Sequence, residues 1–62
     1  MSNLQIVLET ARDLFRYMEF NARDIVEYCT LTNIEVNKAL LDLKRMGLVV
    51  ETPTLGYYYR LV

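Results

Sequence analysis

The sequence predicts a small α+β fold, mostly helical: three helices followed by a two-stranded β-hairpin, in one domain spanning residues 1–62. Three observations predict it. Two helix starts stand close together at Asn21 and Thr32, each followed three residues later by an acid able to close a capping box. The stretch before them, from Asn3 to Met18, carries apolar residues at helical spacing. The chain then closes on LVVETPTLGYYYRLV, two strand-forming runs around a Pro-Thr-Leu-Gly turn.

The first helix is expected over residues 3–18, opened by Ser2 with Gln5 as a possible capping box. Leu4, Leu8, Ala11, Phe15 and Met18, flanked by Val7 and Leu14, form its core face, with Gln5, Glu9, Arg12 and Arg16 opposite. Ile6 and Tyr17 belong to neither face. They sit three turns apart on one flank, as stray exposed apolar residues or as a subunit contact.

A second helix is expected over 22–29, with Asn21 and Asp24 as its box and Phe20 and Ile25 as a hydrophobic staple. Ile25, Val26 and Cys29 should face inward and Arg23, Asp24 and Glu27 outward, with Tyr28 undecided. Thr30-Leu31-Thr32 makes the turn. The third helix, 33–46, starts at Thr32 with Glu35 closing the box and Leu31 stapled to Val36. Val36, Ala39, Leu40 and Leu43 form its buried stripe. Gly47 ends it, and Lys44 and Arg45 complement the dipole in the last turn. In the hairpin, 48–62, alternation assigns Leu48, Val50, Tyr59 and Leu61 to the core and Tyr58, Arg60 and Val62 to the other face. Pro53 and Gly56 suit the turn between the strands.

Composition narrows the function classes. A chain of 62 residues buries only about 60% of its unfolded surface. With 53% of residues hydrophobic, some apolar surface must remain outside, which favours a homodimer or a larger partner. The flank of Ile6 and Tyr17 is one candidate contact and the hairpin face of Tyr58 and Val62 the other. Seven Lys and Arg against eight Asp and Glu leave a net charge of −1, which disfavours avid non-specific nucleic-acid binding but permits a local basic face. Cys29 is the single cysteine and there is no histidine. An intrachain disulfide is impossible, a one-chain zinc site or iron–sulfur cluster lacks the Cys and His ligands it needs, and a Cys/His or Ser/His/Asp catalytic set has no histidine to use. Cys29 reads as core packing, with a redox switch as the alternative. The two glycines make no phosphate-binding loop. Neither a signal peptide nor a membrane-spanning apolar run is visible. The expectation is a cytoplasmic protein without cofactor, metal, membrane association or enzyme activity.

A helix–turn–helix followed at once by a hairpin resembles the winged helix-turn-helix family. The likeness rests on Asp24-Ile25-Val26, Leu31-Thr32, Val36, Ala39-Leu40, Leu43, Gly47-Leu48-Val49 and Tyr59-Arg60-Leu61, about two-thirds of the chain. Relatives often have a short strand just before the first helix of the motif that pairs with the hairpin; the resemblance implies that Phe20 could supply its one inward side chain, which the sequence alone leaves open. Relatives often carry Gly where this chain has Thr30, so the turn should differ or be strained. The resemblance implies sequence-specific binding of double-stranded DNA by a small transcriptional regulator. The outer face of the third helix, with Ile34, Lys38, Leu41 and Arg45 and with Asn37 on its edge, would then enter the major groove. Thr32, Asn33 and Asn37 would hydrogen-bond base edges, Lys38 would reach guanine or phosphate, and Ile34 could touch a thymine methyl. Arg23, Lys44, Arg45 and Arg60 would contact the backbone, with Thr52, Thr54 and the Gly56 backbone as further phosphate donors. Leu41 stands where many relatives have a polar residue, and Asp42 would repel phosphate. The acidic balance, with Ile34 and Leu41 exposed, also fits a different class: a winged helix that binds a protein partner and no DNA.

Overall fold

In the computed structural model, which describes residues 1–53 and 58–62, the path of the chain follows its punctuation. Among these residues the fold is α+β and mostly helical: α1 (Asn3–Leu14), α2 (Ala22–Val26), α3 (Asn33–Arg45), then an antiparallel hairpin of β1 (Val49–Glu51) and β2 (Tyr59–Leu61). Ser2 caps α1 by accepting from Gln5 N at 3.2 Å. Asn21 and Thr32 both form complete boxes. Asp24 N donates to Asn21 Oδ1 at 2.8 Å and Asn21 N donates to Asp24 Oδ2 at 3.0 Å. Glu35 N donates to Thr32 Oγ1 at 3.2 Å and Thr32 N to Glu35 Oε1 at 3.0 Å.

α1 stops at Leu14, short of the expected Met18. The cause is tertiary. Phe20 must reach the edge of β2, and a helix continued to Met18 would leave Glu19 alone to span the gap. Residues 15–19 make the connection instead, with Met18 N donating to Phe15 O at 3.2 Å. Leu14 and Met18, assigned to the core by periodicity, are consequently exposed, while Val7 and Ala11 carry the buried face and Leu4, Leu8 and Phe15 pack beside them. α2 likewise ends before Cys29. Its last turn tightens to i→i+3 bonds, Tyr28 N to Ile25 O at 3.0 Å and Cys29 N to Val26 O at 3.5 Å, as short helices without a glycine exit often do.

α3 ends in a Schellman arrangement. Gly47 takes φ +78°, Gly47 N donates to Lys44 O at 3.0 Å, and Leu48 N donates to Leu43 O at 2.9 Å. This cap explains a correction in the hairpin. Leu48 belongs to the helix terminus, so β1 begins at Val49 and its inward residues shift by one. Val49 is buried, and Val50, expected in the core, is 38% exposed. β2 keeps the expected parity, with Tyr59 buried and Leu61 packed against the core. The register pairs Val49 with Leu61, Val50 with Arg60 and Glu51 with Tyr59.

Where the sequence left open a short third strand, Phe20 forms an isolated β-bridge. On the other edge of β2 it exchanges both backbone bonds with Tyr59, Phe20 N to Tyr59 O at 2.9 Å and Tyr59 N to Phe20 O at 2.7 Å. Its ring lies fully inside, 5.7 Å from Phe15 and 6.5 Å from Tyr59 between centroids. The core gathers Val7 and Ala11 of α1, Phe20, Ile25 of α2, Val36, Ala39, Leu40 and Leu43 of α3, Val49 and Tyr59. Leu31 and Cys29 pack at its margin and Tyr28 is exposed, its ring edge-on to Phe15. No helix of the described residues is long and apolar enough to cross a membrane.

Candidate nucleic-acid interface

The four-residue inward stripe of α3 fixes which side chains look outward. Asn33, Ile34, Asn37, Lys38, Leu41 and Arg45 are all exposed and follow one helical face. At 13 residues the helix is about 20 Å long. Its start is held by the Thr32–Glu35 box and by Asn3 of α1, whose Nδ2 donates to Glu35 Oε2 at 3.2 Å. That bond ties two helix N-termini together. The Thr32 backbone N–H, then the Thr32 hydroxyl, and more weakly the Asn3 amide hold the Glu35 carboxyl below its ordinary pKa.

The candidate contact residues differ in what they already bind. Thr32 Oγ1 both accepts from Glu35 N and donates to Glu35 Oε1 at 3.1 Å, so its hydroxyl is committed to the cap. Asn37 Nδ2 donates one hydrogen to Asn33 O at 2.9 Å, which leaves its other N–H and its carbonyl outward. Lys44 Nζ pairs with Glu51 Oε1 at 3.0 Å, joining the end of α3 to β1. Arg45 lies 3.7 Å from Asp42, both substantially exposed. Lys38, Arg23 and Arg60 are exposed and make no ion pair among the described residues. Ile34 is 82% exposed and Leu41 45%. Beside them a shallow groove of about 390 Å³ runs between the starts of α1 and α3, lined by Asn3, Leu4, Ile34, Glu35, Lys38, Ala39 and Asp42.

Two expectations at the margins change. The Thr52 hydroxyl is buried without a hydrogen-bond partner among the described residues, so it does not face a phosphate. Thr54, Gly56 and Tyr57 lie outside the described residues. The turn before α3 contains no positive φ, so Thr30 is accommodated by a different turn rather than by strain. Burial, reinforced by Glu51 and opposed by Lys44, pushes the Tyr59 phenol up.

Sequence reasoning missed two features. The Lys44–Glu51 pair requires the strand register, although Glu51 being the acid of its run was a signal. The second is a groove of about 550 Å³ between the end of α1 and the end of the hairpin, lined by Arg12, Arg16, Tyr17, Leu48, Leu61 and Val62. The two arginines were visible as an i, i+4 pair, but nothing local placed the hairpin end beside them. Because α1 stops at Leu14, Ile6 and Tyr17 no longer share the flank of one continuous helix. Tyr17, 90% exposed, lies instead in this groove with Val62. No group of three or more His, Cys, Asp or Glu among the described residues is placed to hold a metal ion. Compared with protein-family models, curated proteins and solved structures, the chain gives no match.

Proposed function

We propose that the chain is a winged helix-turn-helix protein that binds double-stranded DNA sequence-specifically and acts as a small, cytoplasmic, homodimeric transcriptional regulator. The observation that carries this reading is the outward stripe of α3, a doubly anchored helix whose exposed face alternates amide, cationic and apolar side chains. Placed in a major groove, Asn37 has one amide N–H and its carbonyl available for the two-point pairing that suits adenine. Lys38, with no ion pair among the described residues, reaches guanine or phosphate. Arg23 and Arg60 meet the backbone, and Arg45 and Lys44 do so after exchanging exposed carboxylates for phosphates, a small cost for surface pairs. Ile34 and Leu41 meet thymine methyls. No catalytic step is part of this role.

A second reading has its own observation. Ile34 and Leu41 are the large apolar residues of that stripe, and two of its neighbouring cations already face carboxylates. A protein partner would use those same two side chains. A mobility-shift titration at low salt separates the readings, using random-sequence duplexes and duplexes selected from a pool. The DNA reading expects enrichment of one sequence class, and a folded sample at tens of micromolar that retards neither duplex removes it.

A further inference from the structure

Ile34 and Leu41, both exposed, stand seven residues apart on α3. Seven residues fall short of two full turns by about 20°, so the two side chains lie nearly in line along the helix axis. The buried stripe of Val36, Ala39, Leu40 and Leu43 fills the opposite side, which leaves this line at the middle of the outward face. A rise of about 1.5 Å per residue separates the two by about 10 Å, and base pairs stack at about 3.4 Å. The two apolar groups therefore match a step of about three base pairs. Asn37 lies between them and to one side, its amide pinned by the 2.9 Å bond to Asn33 O. We propose that the DNA element read by α3 carries two thymine methyls about three base pairs apart, one under Ile34 and one under Leu41, with an adenine between them under Asn37.

This inference rests on the DNA-binding reading and names the sequence class that reading leaves open. The thymine methyl is the natural apolar contact of the major groove. A cytosine amine or a guanine O6 set under Ile34 or Leu41 would lose its water and gain no partner. The two side chains thus favour thymine by contact and disfavour G·C pairs by desolvation. The acids on the neighbouring edge of α3 do not compete for base edges. Glu35 is held by the Thr32 backbone N–H, the Thr32 hydroxyl and the Asn3 amide, and Asp42 faces Arg45 at 3.7 Å. The same bonds to Glu35 fix the start of α3, so Ile34 in its first turn is presented from an anchored backbone. Leu41, deep in the helix, is presented from a regular one.

Selection of duplexes from a random pool by the whole chain, followed by uracil substitution, tests it. Uracil keeps the pairing and the O4 of thymine and lacks only the methyl. The selected class should hold two thymines, on either strand, at the stated spacing. In fluorescence anisotropy, uracil at either one should weaken binding by the parent about fourfold, the loss expected for one uncovered methyl. Ile34→Ala should remove most of that penalty at one thymine alone, and Leu41→Ala at the other. Both positions are exposed, so the fold is kept. A selected class without that thymine pair, a parent indifferent to uracil, or uracil penalties unchanged in both alanine variants overturns this inference and leaves DNA binding standing. A folded parent that enriches no duplex overturns both.

Discussion

Replacing Gly47 should separate backbone conformation from packing, because the site makes that separation possible. Gly47 holds φ +78°, and a Cβ built there meets nothing within 4 Å. No clash contributes, so the cost of Gly47→Ala is that of placing an L-residue in the left-handed region, about 1–2 kcal/mol. The lower entropy of the unfolded alanine variant is included in measured substitution effects and does not rescue an incompatible φ. Total stability for 62 residues at roughly 0.05–0.15 kcal/mol each is about 3–9 kcal/mol. The substitution thus removes a sizeable fraction. A shift of about 4–8 °C in Tm accompanies each kcal/mol in a domain of this size. Gly47→Asn should cost less than Gly47→Ala, since Asn tolerates this region, and Gly47→Val should cost more. Urea unfolding with an unchanged m-value gives the differences directly. Equal stability of parent and alanine variant, or alanine tolerated better than asparagine, would refute the assignment of Gly47 as a left-handed helix cap.

Other outcomes follow from the same structure. Phe20→Ala empties a fully buried site and should cost about 3–5 kcal/mol, a large part of that total, seen as a strongly lowered Tm in thermal melting. Thr32→Ala removes one half of a complete capping box and should cost about 1 kcal/mol in denaturant unfolding. Glu35 has a depressed folded-state pKa, so its contribution is present above its ordinary value of 4.5 and disappears as pH falls through the folded value. The Thr32→Ala variant should show a smaller acid-side loss of stability in a pH series of urea melts. Tyr59 has a raised folded-state pKa. Its contribution is full below the ordinary phenol value and fades as pH climbs through the folded one, and Tyr59→Phe should flatten that alkaline limb.

Local signals and their limits can be traced residue by residue. Thr32 with Glu35 and Asn21 with Asp24 are boxes closed within three residues, so their chemistry is written in the neighbouring sequence and they form as expected. The inward stripe from Val36 to Leu43 and the outward one from Ile34 to Arg45 follow from helical period alone. Gly47 announces the end of α3, but the Schellman bonds draw Leu48 into the cap, and that one-residue shift moves Val50 out of the core and Val49 in. The end of α1 was not legible, because Leu14 to Met18 keeps its apolar period while the chain must turn back to bring Phe20 to β2. Ion pairs such as Lys44 with Glu51, and the meeting of Arg12 and Arg16 with Val62, depend on tertiary register that no local pattern encodes.

The central proposal is that α3 reads DNA, and the salt dependence of binding by Lys38→Ala tests it most directly. Lys38 is exposed on the stripe with no ion pair among the described residues to confuse the result. Affinity for the selected duplex, measured by fluorescence anisotropy over a range of salt, should fall for the variant. The slope of log affinity against log salt should shrink by about one unit if Lys38 meets phosphate. Ile34→Ala and Leu41→Ala, measured alongside, should weaken binding modestly and leave the slope as it is. A parent and Lys38→Ala variant of equal affinity and slope, or a folded parent that binds no duplex, would contradict the account.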